Sequence, residues 1–289
     1  MILPKFTFLE PATLEEASKL AKEYDGKCKL MAGGTDVIVA MKEKHIAPEY
    51  IIDLKRIPGL DYLDVDPEKG LKIGALTCLR TIERSQLVKE IYPAVADAAH
   101  YVASTQVRSK GTMVGNLVNA SPSADTVPIL LAANAVLTVY NAETGTREIP
   151  MSEFYIGFKK TALVAGDIVT EIAIPALKEN QYAGYIKHAV RKAMDLAIIG
   201  VAAIVTMDGN ICTDAKITLG AVAITAIRAE EAEKILIGKE LTDDVLEEAA
   251  VAAMNACNPI SDVRASAEYR KDMVRVFTKR VIKKALESK

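Results

Sequence analysis

The residues best placed to do chemistry in this chain are two glycine-bearing turns, Lys29-Leu30-Met31-Ala32-Gly33-Gly34-Thr35-Asp36 and Gly111-Thr112-Met113-Val114-Gly115-Asn116. Without a Cβ, Gly33 and Gly34 can take positive φ and let a phosphate approach the main chain closely. The first turn follows a short apolar run and opens the amphipathic segment Val37 to Lys44. Its backbone N–H groups are therefore expected at a helix N-terminus, where an anion is favoured. Thr35 and Asp36 are the expected capping oxygens. The second turn repeats this chemistry. Two loops clasping linked phosphates would hold a dinucleotide such as FAD without an obligatory lysine. Other phosphate signatures fail: Gly26-Lys27-Cys28 and Gly238-Lys239-Glu240 fit neither a three-glycine Rossmann fingerprint nor a phosphate loop. Either turn taken alone reads equally well as a tight bend.

The surroundings of the second turn carry a longer signal. The run Val102 to Pro128, VASTQVRSKGTMVGNLVNASPSADTVP, closely resembles the FAD-binding subunit of the molybdenum hydroxylases, the xanthine dehydrogenase and aerobic carbon monoxide dehydrogenase family. Ala32-Gly33-Gly34-Thr35-Asp36 is similar to that family too, as are Gly166 to Ile172, Lys187 to Arg191 and Val263 to Arg270. Several motifs in the family's order span almost the whole chain, a more specific signal than one glycine pair. The chain departs from the pattern at Val114, where the family usually has glycine. A β-branched residue resists positive φ, so an extended Val114 or a slightly reshaped loop is expected, and Val114→Gly should be tolerated.

The resemblance implies an α+β protein: a two-lobed FAD-binding domain of the vanillyl-alcohol-oxidase (PCMH) type at 1–176, then a smaller α+β domain at 177–289. The lobes would divide near 58. It implies Lys29, Leu30, Met31, Ala32, Gly33, Gly34, Thr35 and Asp36, with Thr112, Met113, Val114, Gly115 and Asn116, around the pyrophosphate and ribityl chain. Val102 would line the flavin, Asp125 would bond the nucleotide part, and Val169 and Lys187 would complete the set. Each of the last three has an ordinary reading beside it: Val169 as a core strand residue, Asp125 as a helix-capping acid near Val127, and Lys187 as an exposed lysine. No histidine or cysteine lies in either glycine loop, so non-covalent FAD is expected.

The implied function is electron transfer from iron-sulfur clusters to an external acceptor such as NAD, most similar to the xanthine dehydrogenase type. Molybdopterin and the clusters would reside only on partner subunits, in a dimer of heterotrimers. Arg191 to Asp195 would lie in the loop governing access of the acceptor. The alternative is a self-contained FAD-dependent reductase or oxidase on the same fold, which would need its own pocket and proton donor. No nucleophile elbow or cysteine-histidine pair is found, and no catalytic residue is expected on this chain.

Composition narrows the field further. At 289 residues, 50% of them hydrophobic, the chain can bury a core large enough for two domains. A formal net charge of −2 provides no basic field for nucleic acid. The N-terminus meets Glu10 and Pro11 before any signal-peptide stretch develops, and later apolar runs are too short to span a bilayer, so a cytoplasmic location is expected. Cys28, Cys78, Cys212 and Cys257 are scattered without metal-ligand spacing, and His45, His100 and His188 are isolated. These read as small hydrophobes and structural or solvated histidines, with no metal site.

The elements needed to position the loops are legible from periodicity. A helix is expected over Leu14 to Tyr24 with Thr13 as cap, and strands over Cys28–Met31, Tyr50–Asp53 and Leu71–Gly74, with Asp53 as a turn acceptor. Helices follow at Leu79–Gln86, Pro93–Tyr101 and Val127–Asn134. A hairpin then runs from Ala135 to Ile149, and a strand at Ile168–Ile174 closes the first domain. Pro175 and Lys178 to Gln181 mark the boundary. Strands at Gly184–Val190, Ala197–Met207 and Ile211–Ala223 come next, the last two joined at Asp208-Gly209-Asn210. Helices at Ala229–Leu236, Asp243–Ala256 and Ala265–Glu287 end the chain, with a solvated lysine face on the last.

Overall fold

Three short parallel strands make the first lobe. The computed structural model describes residues 3–287, so Met1 and Ile2 of the N-terminal reading, and Ser288 and Lys289 of the expected second domain, lie outside the described residues. β1 (Thr7–Leu9), β2 (Cys28–Met31) and β3 (Tyr50–Asp53) assemble in the order β1-β3-β2. Between them run α1 (Leu14–Glu23) and α2 (Val37–Lys42). Thr13 caps α1 as expected, its hydroxyl accepting from the Glu16 N–H at 3.1 Å. Asp53 is the turn acceptor foreseen, taking the Lys55 N–H at 3.3 Å.

The second lobe is a five-stranded antiparallel sheet with helices against it. β4 (Leu63–Asp66) and β5 (Gly70–Gly74) precede α3 (Leu79–Arg84), α4 (Gln86–Ile91), α5 (Pro93–Tyr101), α6 (Thr105–Arg108), α7 (Met113–Val118) and α8 (Val127–Ala132). The hairpin β6 (Val136–Asn141) and β7 (Gly145–Pro150) follows. After it come α9 (Met151–Phe154), the small hairpin β8 (Tyr155–Gly157) and β9 (Lys160–Thr161), and β10 (Ile168–Ile174). The sheet order is β4-β5-β10-β6-β7, so the last strand of the region is its middle one. The single helix expected over Leu79–Gln86 is two helices, because Ser85 leaves helical geometry and caps the second through the Val88 N–H.

The remaining chain builds a third sheet: β11 (Gln181–His188), β12 (Ile199–Asp208), β13 (Ile211–Gly220), β14 (Ile227–Arg228) and the added β15 (Lys239–Glu240). Gly209 takes φ +57° at the β12–β13 turn. α10 (Glu230–Leu236) lies between β14 and β15, and α11 (Asp243–Asn255) and α12 (Ala267–Glu287) complete the chain. Helices α10–α12 and one face of the sheet enclose a core containing Ile199, Val201, Leu219, Leu236, Val274 and Ile282. The other face joins the core of the second lobe through Ala183, Tyr185, Ala202 and Ile204. Gly220 is required at this seam, where a Cβ would come within 2.8 Å of Pro128 Cγ, and Thr218 Oγ1 donates to the Pro128 carbonyl at 2.6 Å.

Of the cysteines, Cys212 and Cys257 are buried, whereas Cys28 and Cys78 are half-buried. Among the described residues no group of three metal-ligating side chains converges. No helix among them is long and apolar enough to cross a membrane.

Candidate functional site

The two glycine loops meet main chain to main chain. A Cβ on Gly33 would stand 1.9 Å from the Lys110 carbonyl oxygen and 2.9 Å from Gly111 Cα. No side chain fits there. A Cβ on Gly111 would meet Thr35 Oγ1 at 3.1 Å, so the contact is close from both sides. Gly34 takes φ +74°, the left-handed conformation that its position in the turn suggested. One expectation fails. Asp36 already has helical angles, φ −93° and ψ −48°, and makes no capping bond. A cap oxygen reaches back to the first turn only from extended backbone. Thr35 Oγ1 instead faces Gly111. Hydrogen bonding in α2 begins with the Ile38 N–H and the Gly34 carbonyl, leaving the amides of 33–37 ahead of the first intrahelical donor.

The second loop enters a helix one residue after Gly111. Thr112, extended at φ −105° and ψ 157°, caps α7 by accepting the Gly115 N–H at 2.9 Å. The loop is pinned from α3, where the Leu79 N–H donates to the Gly111 carbonyl at 2.9 Å. Val114 is neither extended nor in a reshaped turn: it lies in the first turn of α7 with its side chain buried. Glycine is dispensable there because a helical residue has negative φ, and the isopropyl group finds a core to fill.

Asn116 connects α7 with the acidic end of the site. Its Oδ1 accepts from Thr126 Oγ1 at 2.8 Å, beside Asp125. Asp125 is buried and pairs with Lys187 of β11 at 2.8 Å. Read as an exposed lysine on sequence grounds alone, Lys187 has a side chain only 5% exposed. Its ammonium also donates to the carbonyls of Tyr101, at 3.1 Å, and Asp195, at 2.8 Å. All three donors of the ammonium are thus used. Asp125 is not the helix-capping acid either, since α8 has no side-chain cap bond. Burial pushes its carboxyl up to about 6, against the opposing pull of Lys187. The hydroxyl of the fully buried Tyr185 also interacts with the Asp125 carboxylate, although Oδ1 and that hydroxyl make no hydrogen bond of good geometry.

Val102 and Val169 are buried in the same core, Val102 next to the Tyr101 carbonyl that holds Lys187, and Val169 on β10, which packs against α7. Lys29 is exposed on β2, Leu30 is half-buried and Met31 buried. The structure brings Gly33, Gly34 and Thr35 into one assembly with Thr112, Gly115, Asn116, Asp125 and Lys187, whereas Lys29 stands at its outer edge. Sequence reasoning overlooked Glu83 and Arg108, a buried pair directly behind the second loop, and Tyr185. Glu83 carried a readable signal: it follows the buried Leu79 by four residues and so shares its helix face.

These groups suit a dinucleotide. Main-chain amides at two abutting loops are donors of the kind a diphosphate accepts, and the buried valines beside them offer an apolar surface. Comparison with known proteins identifies the family. A family model described as the FAD binding domain in molybdopterin dehydrogenase matches residues 4–177, and one described as the CO dehydrogenase flavoprotein C-terminal domain matches 184–285. The glyceraldehyde dehydrogenase medium chain of Sulfolobus acidocaldarius is 34% identical, over 98% of this chain and 99% of its own. The xanthine dehydrogenase FAD-binding subunit of Escherichia coli O157:H7 is 29% identical, over 95% of this chain and 94% of its own. These identities give the xanthine type no advantage. The solved carbon monoxide dehydrogenase from Hydrogenophaga pseudoflava contains a chain superimposing with a TM-score of 0.95 at 32% identity, covering 100% of this chain and 99% of that one. The fold is thus a PCMH-type FAD-binding domain followed by a flavoprotein C-terminal domain, and the chain belongs to the FAD-binding medium subunits of the molybdenum hydroxylases.

Proposed function

We propose that this chain is the electron-transfer subunit of a multisubunit molybdenum hydroxylase, divided near residue 177 into an FAD-binding domain and a smaller domain that completes the cofactor site. The reading places Ala32 to Asp36 and Thr112 to Asn116 around the pyrophosphate, with Lys29 to Met31 leading into them; the Gly115 and Asn116 amides are held by Thr112, so the donors of the second loop lie ahead of them. Val102 and Val169 form apolar walls for the ring, and Asp125 receives a hydrogen bond from the cofactor. Lys187 keeps that carboxylate charged in its buried setting and fixes its orientation. FAD held here would supply the electron-transfer chemistry. The protein's own part is to hold, orient and screen it.

The observation that carries this reading is the abutment of Gly33 on Lys110 and Gly111, which makes one cradle of two loops some 80 residues apart in sequence. Partnership is supported by the relatives' own names, which include medium chains and a dehydrogenase complex subunit. Carried to this chain, they imply an iron-sulfur subunit, a molybdopterin subunit and an external acceptor such as NAD, in a dimer of heterotrimers. Xanthine-type, carbon-monoxide-type and aldehyde-type substrates all fit, because the organic substrate would bind elsewhere in the complex.

The isolated chain is expected to bind FAD, to release it on acid precipitation and to hydroxylate nothing. Absorbance spectra before and after precipitation, together with native mass spectrometry of the endogenous protein, test this. Oxidation of a heterocycle or aldehyde by the chain alone, or an endogenous protein without associated subunits, would overturn the assignment.

A further inference from the structure

Glu83 and Arg108 form an ion pair almost closed off from water, yet neither belongs to the surface that a dinucleotide would touch. Burying a carboxylate costs several kcal/mol unless its oxygens are matched by donors. Here both are. Arg108 Nε reaches Glu83 Oε2 at 2.9 Å and Arg108 Nη2 reaches Oε1 at 3.1 Å, a two-point fork. Arg80 Nη1 adds a bond to Oε2 at 3.0 Å, and His100 Nδ1 one to Oε1 at 2.8 Å. Burial opposes the Glu83 charge, but these bonds from Arg108, His100 and Arg80 outweigh it and hold the carboxyl at about 2.

The remaining donors of Arg108 point along the loop. Nη1 donates to the Val102 carbonyl at 3.0 Å and Nη2 to Thr105 Oγ1 at 3.4 Å. Val107, its neighbour, accepts the N–H groups of Lys110 at 3.0 Å and Gly111 at 2.6 Å. Lys110 and Gly111 are the residues against which Gly33 closes. At the other end, Ala103 takes φ +45°, and its carbonyl accepts the Met194 N–H at 3.2 Å from the loop that follows β11.

We infer that Arg108, gripped by Glu83, is a positioning residue for the cofactor site. Its side chain ties the Val102 end of the 102–111 segment to Glu83, and its backbone sits beside the Val107 carbonyl that holds Lys110 and Gly111, so it sets both the placement of Val102 and Ala103 and the approach of the two glycine loops. This inference rests on the FAD-site reading above. A lysine cannot replace the arginine, because one ammonium cannot span two carboxylate oxygens and the Val102 carbonyl in the same plane.

The test uses the full chain freed of FAD, with Arg108→Lys, Glu83→Gln and, as control, Arg80→Gln, which touches Glu83 but not the loop. FAD titration, apoprotein melting and visible circular dichroism of the bound flavin are read for each. Arg108→Lys and Glu83→Gln are expected to weaken FAD binding tenfold or more and alter the flavin dichroism while the apoprotein still melts cooperatively. Arg80→Gln is expected to stay within twofold. If either loop-clamp variant fails to fold, the other decides. Unchanged affinity and dichroism in a folded variant, or an equal loss in Arg80→Gln, would overturn the inference. A wild-type chain that took no FAD would instead overturn the site itself.

Discussion

Gly33 and Gly115 stand in the two loops of one cradle, yet a side chain would meet different surroundings at each. At Gly33 a Cβ runs into main-chain atoms of the opposite loop. At Gly115, inside α7, the tightest contact is a side-chain atom of the same loop, Thr112 Oγ1 at 3.0 Å, the hydroxyl that caps the helix. The first loop therefore uses glycine for shape: absence of a side chain at Gly33 and positive φ at Gly34. The second uses a capped helix turn and tolerates valine in its midst. Equivalent-looking glycines thus report two solutions to the same problem of bringing backbone amides to one place.

The sharpest way to break this comparison is Gly33→Ala. Because main chain cannot step aside without parting the loops, FAD affinity is expected to fall on the order of 100-fold, equivalent to about 3 kcal/mol. Gly115→Ala, titrated beside it, should stay within about threefold, since alanine's better helix propensity offsets the contact with Thr112. Equal losses would show that the loops are built alike.

Val114→Gly comes next, and here the structure reverses the expectation from sequence. Rather than restoring a turn, it would remove a buried isopropyl group and loosen a helix. Apoprotein stability should drop by about 2 to 3 kcal/mol, measured by denaturant unfolding. An unchanged midpoint would return Val114 to the category of turn residues.

The smallest effect concerns the acidic end of the site. The folded Asp125 holds its proton more tightly than an unfolded aspartate, so it adds stability as pH falls through about 6 and levels off below the ordinary aspartate range near 4. Relative to Asp125→Asn, the wild-type apoprotein should therefore gain melting temperature between pH 7 and pH 5. The slope cannot exceed about 1.4 kcal/mol per pH unit for one proton. A wild type that loses ground over this interval would mean that Lys187 dominates and holds the carboxyl low.

Local structure was largely legible because it is written in neighbours. The Thr13 cap, the Gly209 hairpin and the spacing of α10 to α12 all depend on residues within a turn or two of one another. What the sequence leaves illegible is mostly long-range. The burial of Lys187 depends on Asp125, 62 residues earlier, and the pairing of Glu83 with Arg108 spans 25 residues, so neither shows in local spacing. Asp36 has the residue type and place of a cap, but the turn of Gly33 and Gly34 leaves it in helical conformation. β1 passed unnoticed because a three-residue edge strand has too few positions to show alternation.

The reach of Lys187 into the second lobe also sets an order of events as the chain is made. Asp125 leaves the ribosome 62 residues ahead of its counter-charge, together with the Tyr101 carbonyl that shares the same ammonium. Until β11 is synthesised and laid against the N-terminal region, that carboxylate lacks the cation that it meets in the finished fold. The acidic end of this region is therefore completed only when the C-terminal sheet is in place.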